Sequence, residues 1–236
     1  MSPVPDVNTL SLLHFDGADA STVFTDESGK AWTANGNAQL DTSIYKFHPS
    51  SGMFDGTGDW IDTPDHADFN LGSGDFTFDF HMYVDGSGGD GTYRVLGQTD
   101  SAFTLTNTSM FFQYQWIGGG FKIVAACYVG STEHAIERDN ISAGWHHIAI
   151  SRNGGDFGLA LDGDFFNGFT EPISGAINNS PAKFAIGRAG ENTSNPFLGW
   201  IDEFRFSNIC RWTTDFSPPA YPYGYSFIPK IVMSGE

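Results

Sequence analysis

The segment DFTFDFHMYV alternates strictly, with Phe76, Phe78, Phe80, Met82 and Val84 on one side of an extended chain and Thr77, Asp79, His81 and Tyr83 on the other. A period of two suits a strand with one buried face and is useless to a helix. Shorter runs of the same kind occur at 9–15, 92–99, 102–106, 110–117, 121–129, 145–152, 157–163, 182–188 and 199–207. Clusters such as GSGGDG (86–91), NGG (153–155) and DGD (162–164) separate them, and these residue types supply turns at low steric cost. Nowhere do apolar positions keep helical spacing for long without a Gly or Asn break, so a short helical turn near the chain end is the most this pattern allows. Many short strands, each with one apolar face, predict an all-β protein of two packed antiparallel sheets.

The chain changes character at SPPAYPYGYSFIPKIVMSGE, where prolines and tyrosines favour an extended arm that cannot enter the middle of a sheet. The expected division is a domain over residues 1–219 followed by an arm over 220–236. Such an arm either wraps its own domain or docks on a neighbouring subunit. In the second case its removal should abolish attachment and spare the fold.

With 236 residues the chain suits one large domain. Its 28 acids against 11 bases give a formal charge of -17, and the resulting field repels phosphate backbones and anionic headgroups, which argues against a nucleic-acid partner. No apolar run approaches the ~20 residues of a membrane span, and MSPVPDVNTL has neither the basic region nor the apolar core of a secretory signal. Membrane insertion is therefore not expected. The two cysteines, Cys127 and Cys210, have no metal-binding spacing and read as small packed side chains.

Candidate chemistry is sparse. His146 and His147 are adjacent on a predicted strand, so their rings point to opposite faces and cannot converge on one atom. Residues 86–91 match GxGxxG, but no helix follows to direct an N-terminus at a phosphate. In MFFQYQWI, Gln113 and Gln115 alternate with Tyr114 and Trp116, combining amides with flat rings, the two kinds of contact that a sugar needs. The alternative is that Phe112, Tyr114 and Trp116 form a core face and the glutamines face water. Trp60 and Tyr93, near Gly-rich turns, are weaker candidates of the same kind.

The stretch GWIDEFRFS sets two acids side by side. Strict alternation puts Trp200, Asp202, Phe204 and Phe206 on one face and Ile201, Glu203 and Arg205 on the other, so the acids diverge and cannot act as a glycosidase pair. Glu203 is expected to pair with Arg205 at the surface. Asp202, among aromatics, needs either backbone N–H partners or a cation, for which calcium and its many oxygen ligands would serve.

The segments LLHFDG (12–17), FTDESGKAW (24–32), MFDGTGDWIDTPDHADFNLGSGDFTFDFHMYV (53–84), GWHHIAISRNGGDFGLALDGD (144–164), AIGR (185–188) and GWIDEFRFSNICRWTTDFSPP (199–219) resemble, in order, a laminin-G-like domain of the concanavalin A-like jelly-roll family. The resemblance implies a two-sheet jelly-roll sandwich and a structural calcium, with Asp202 as one ligand and Asp16, Asp55 and Gly56 as its neighbours. Glucanases of the fold carry an ExDxE strand, and none of the seven glutamates here begins one. The wording, DFSPP included, is similar to domains of tailed-phage virion proteins. That similarity implies a non-enzymatic virion structural or decoration protein. Its lectin-like jelly roll would bind a glycan or cell-surface polysaccharide, and its C-terminal arm would meet other virion proteins or its own subunits. The alternatives are a glucanase-like polysaccharide-cleaving enzyme and a cellular carbohydrate-binding module.

Overall fold

The computed structural model describes residues 5–86, 89–118, 120–165, 168 and 170–224, with the side chain of Asn140 excepted. The strands are β1 (Thr9–Leu13), β2 (Thr33–Asn35), β3 (Gln39–Asp41), β4 (Ser51–Asp55), β5 (Trp60–Thr63), β6 (Phe76–Val84), β7 (Gly91–Gln98), β8 (Met110–Ile117), β9 (Gly120–Val129), β10 (Thr132–Ile141), β11 (Gly144–Asn153), β12 (Asp156–Leu161), β13 (Glu171–Pro172), β14 (Phe184–Ile186) and β15 (Leu198–Ser207). An eight-stranded sheet runs β13-β12-β11-β6-β15-β4-β3, with β1 also paired to β15, and a seven-stranded sheet runs β10-β9-β8-β7-β14-β5-β2. The strands of both sheets pair antiparallel, as the alternating pattern predicts.

Two expectations fail locally. Residues 102–106 form no strand and instead lead into a helical turn at Leu105–Asn107; the other such turn, Ala67–Phe69, is also far from the chain end. Strand β10 went unread because Glu133, Glu137 and Asp139 interrupt its apolar pattern, which suits a strand at the margin of a sheet where charge discourages further pairing.

The interior is packed with phenylalanine. Phe76, Phe78, Phe80, Met82 and Val84 all point into it, as their alternation requires. Phe78 lies 4.2 Å from Phe206 and 5.5 Å from Phe184, with the rings within 6° of parallel. Phe69 extends this stack at 4.8 Å from Phe184. Rings from both sheets thus interlock where the layers meet.

Strand β15 departs from strict alternation. Asp202 lies opposite His81, but Arg205, three residues on, lies opposite Asp79, only two residues away on β6. The extra residue is a bulge, and Glu203 takes φ 54° within it. Trp200 and Asp202 therefore face outward beside Tyr83 and His81, while Phe204 and Phe206 face the core. The expected single face of Trp200, Asp202, Phe204 and Phe206 does not exist.

After β15 the chain folds back over the outer face of its own sheet. Thr77 Oγ1 donates to the Ile209 carbonyl and accepts from the Arg211 N–H. Trp212 and Phe216 stack at 4.0 Å and cover Ala149, Ala160 and Phe165. Gly163 makes this approach possible, since a Cβ there would lie 1.8 Å from the Phe216 carbonyl oxygen. Tyr223, within the expected arm over 220–236, is 4 % exposed and lies against Arg205 and His147; residues 225–236 lie outside the described residues.

Replacing Phe78 with Ala should remove about 3–5 kcal/mol of stability in urea unfolding, because the ring contacts four other phenylalanines, two of them stacked on it, and its loss leaves a cavity between the layers.

Candidate functional site

The bulge and the returning segment together enclose a polar cluster on the outer face of the eight-stranded sheet. Asp79 is 0 % exposed and accepts from Arg205 Nε at 3.0 Å and Nη2 at 2.8 Å. Burial alone would raise its pKa, but the charge of Arg205 and the adjacent His147 hold it well below the usual carboxylate range. The Arg205 guanidinium lies over the Tyr223 ring at 4.0 Å, and the Tyr223 hydroxyl is 3.1 Å from His147 Nε2. His81 stands against His147 at 4.9 Å with neither ring nitrogen hydrogen-bonded, and burial and the neighbouring His147 lower its pKa to about 3. His146 points to the other face and meets Asp162 at 2.7 Å, so the histidine pair diverges as expected.

The two adjacent acids belong to this enclosure. Glu203 is 1 % exposed, with Oε1 2.6 Å from His14 Nδ1 and Oε2 accepting from the Tyr223 N–H at 2.8 Å. The expected surface pair of Glu203 with Arg205 is thus overturned: the bulge turns Glu203 towards His14 and gives Arg205 to Asp79. Burial opposes a charge on His14, but Glu203 outweighs it and raises the His14 pKa above 6.5.

Asp202 accepts from the Lys46 and Phe47 N–H groups at 2.9 Å each, both on Oδ2, and its buried Oδ1 has no hydrogen-bond partner. Burial, offset only in part by those two bonds, pushes its pKa well above 3.8, with Glu203 and Asp16 acting in the same direction. Asp16 is near enough to act on it, but Asp55 is not. Asp55 lies opposite Leu198, four residues back along β15 and roughly 13 Å away at the rise of a strand. It holds the Thr57 N–H and hydroxyl in its own turn, next to Gly56. Among the described residues no group of three or more His, Cys, Asp or Glu could hold a metal ion. Asp16 lies near Asp202 while Asp55 and Gly56 sit in a separate turn, so the four residues expected to share calcium do not come together at one site.

The sugar-binding strand divides in the same way. Tyr114 is 3 % exposed, donates its hydroxyl to the Leu198 carbonyl at 2.9 Å and stacks on Tyr93 at 4.6 Å. Trp116 packs on Phe121 at 4.0 Å along the edge of the core. Gln113 and Gln115 point to the outer face, Gln113 buried and Gln115 half-buried. No one surface carries all four: the core-face alternative holds for Phe112, Tyr114 and Trp116, but Gln113 is buried where that alternative has it facing water. Trp60 lies under the Arg188 guanidinium at 3.8 Å. Cys127 is fully buried, which raises its thiol pKa to about 12, and Cys210 is half-buried with its thiol on the Trp212 carbonyl. Sequence reasoning missed His14, Asp79 and Tyr223; nothing in the sequence links three such distant positions.

These features sit in a recognisable frame. The chain belongs to the concanavalin A-like lectin/glucanases superfamily, whose laminin-G-type pattern matches residues 55–214. Nothing among curated proteins matches. Among solved structures, the binding domain of Paraclostridial Mosquitocidal Protein 1 is similar at TM-score 0.59 and 16% identity, covering 87% of this chain and 50% of that one. The binding domain of botulinum neurotoxin DC, solved in complex with SialylT, gives 0.60 at 12% identity, with 89% and 49% covered. Domain 4 of AbnA, an extracellular arabinanase from Geobacillus stearothermophilus solved with arabinotriose, gives 0.52 at 18% identity, with 85% and 92% covered. The chain spans about half the length of the toxin binding domains it matches. At these identities the likeness is one of fold.

The acids set a pH response. A carboxyl whose folded pKa is raised contributes stability that is complete below its unfolded value of 3.8 and is lost as pH rises towards the folded pKa, so Asp202 destabilises the fold on the alkaline side. His14, also raised, loses its contribution as pH climbs from 6.5 through its folded pKa. Melting temperature should therefore fall as pH rises, from 3.8 upward on account of Asp202 and from 6.5 upward on account of His14. Asp202→Asn should flatten part of that fall, because the amide keeps an acceptor for Lys46 and Phe47 without a charge, and Asp202→Ala should cost about 1–3 kcal/mol at any pH by orphaning two N–H groups. A chelator should leave the melting temperature unchanged, because Asp55 and Gly56 lie away from Asp202; a fall that added calcium restores would show that Asp202 holds a cation.

Proposed function

We propose that the chain is a non-enzymatic, lectin-like binding protein of a phage particle, whose jelly roll contacts glycans on a host surface and whose final residues attach it to the particle. The observation that carries the binding reading is the engagement of Asp202 and Glu203. Each acid is fixed by bonds that hold the fold, to backbone N–H groups and to His14, and so is committed to structure where a glucanase needs two carboxyls at one bond. Membership of a superfamily of lectins and glucanases supports a sugar ligand, as do similar domains solved with SialylT and with arabinotriose. The virion placement is supported by the likeness of the wording, DFSPP included, to tailed-phage proteins; the protein would be cytoplasmic only during synthesis.

A second reading, a carbohydrate-binding module of a cellular enzyme, is favoured by the AbnA domain, which this chain matches over nearly its whole length. The two differ in where the protein is found, and mass spectrometry of purified particles should detect it in the first case only.

Two outcomes follow for the pure protein. On a glycan array it should bind, and incubation with the bound glycan should release no reducing ends; turnover would return the enzyme reading. Deleting residues 225–236 keeps Tyr223 and should abolish particle attachment without lowering the melting temperature. Deleting 220–236 also removes Tyr223, which closes the Asp79–Arg205 cluster, and should destabilise the fold itself.

A further inference from the structure

We propose that the outer face of the eight-stranded sheet carries a row of side chains, Trp145, Tyr83, Trp200, Met53 and Gln39, that binds a neutral polysaccharide laid across the strands. The inference rests on the glycan-binding reading and adds where the ligand sits and what class it belongs to.

Strand register makes the row. Trp145 lies opposite Tyr83, Tyr83 opposite Trp200, Trp200 opposite Met53 and Met53 opposite Gln39, so five adjacent strands each place one side chain on a single line across one face. With strands ~4.8 Å apart, the two tryptophans stand roughly 10 Å from each other, a spacing on the scale of a disaccharide. All five are half-buried. Their neighbours on the same face, His147, His81 and Asp202, are each 1 % exposed. Among the described residues the Tyr223 cover stops short of the row, whose aromatic rings are half-buried where the neighbouring side chains are fully buried, the informative kind of exposure for a sheet face.

The rings are also held in place before any ligand arrives. Tyr83 meets Trp145 at 5.5 Å and 66° and Trp200 at 5.5 Å and 88°, so each edge is braced by a neighbouring face. The Trp200 indole N–H donates to Asp41 Oδ2 at 2.7 Å, and Asp41 is itself fixed by the Ser43 N–H and hydroxyl. A surface with fixed rotamers loses little entropy on binding.

The chemistry selects the ligand. A sugar ring offers an apolar C–H face to an aromatic ring and hydroxyls to the acceptors around it. Asp41 and Asp55, each two residues along its strand from Gln39 and Met53, flank the row on the same face with carboxylate oxygens. An anionic glycan would meet these carboxylates within a chain of net charge -17. A neutral chain of hydroxyls and C–H faces meets no such opposition.

The test is affinity electrophoresis through gels containing dextran, mannan, mixed-linkage β-glucan, arabinan or polygalacturonate. It compares the full chain with Trp145→Ala and Trp200→Ala, each checked by melting temperature. At least one neutral polysaccharide should retard the parent chain, and each folded variant should lose about tenfold or more in affinity, as for truncation of a central aromatic anchor. Tryptophan fluorescence should change on titration with the same polysaccharide, and Trp145→Ala should reduce that change. Retardation of the parent with folded variants unaffected would overturn the row and leave the glycan reading intact. Retardation by polygalacturonate alone would overturn the neutral class. No retardation by any polysaccharide, together with an empty glycan array, would remove both readings. A parent dimer in analytical ultracentrifugation that Trp145→Ala converts to monomer would assign the row to a second copy of the chain.

Discussion

Glu203 holds a left-handed backbone conformation at φ 54° in the middle of a ten-residue strand, and that one residue reverses which side of the sheet its neighbours face. For a non-glycine residue such a conformation costs on the order of 1–3 kcal/mol and persists only where its surroundings over-determine it. Here they do. Its carboxylate is bound on both oxygens, and on either side of the bulge β15 pairs with β6, with β4 before it and with β1 after it. The bulge delivers Phe204 and Phe206 to the core and Arg205 to Asp79, and leaves Trp200 on the outside.

Buried charge is the second constraint, and it explains why the outer face needs a cover. Asp79 and Arg205 form a two-bond pair and Glu203 is matched by His14, so these two buried acids each face a basic partner, while Asp202 is held by backbone N–H groups. A pair of this kind adds little net stability while intact but is expensive to break, because the remaining charge stays buried without a counterpart. Tyr223 joins both couples, through its N–H to Glu203 and its ring under Arg205. The final described turn of the chain is thereby part of the electrostatics of the central strands.

How much of this could be read from the sequence varies residue by residue. The face of Phe76 to Val84 was legible because β6 keeps a regular register with β11 along its whole length, so period two translates directly into position. The family resemblance set the architecture. Asp202 and Glu203 were misplaced because a bulge is a choice of backbone angle that a charged residue does not advertise, whereas a glycine in that position would have. The sequence left open whether the arm wraps its own domain or docks on a neighbour, because proline and tyrosine say only that a segment is extended, and what Tyr223 lies on depends on Glu203, Arg205 and the distant His147. The aromatic row escaped notice because its members come from three separate segments, and only strand pairing puts Trp145, Tyr83 and Trp200 side by side.

The pairing of β1 with β15 also has a temporal side. Translation produces Thr9–Leu13 well before Leu198–Ser207, so among the described residues β1 has no strand partner until β15 has been made. His14 likewise lacks its carboxylate, and the couple it forms lacks Tyr223, until synthesis has passed residue 223. The larger sheet therefore cannot be finished in order of emergence. Its closing contacts join residues far apart in sequence, the kind of contact that forms slowly.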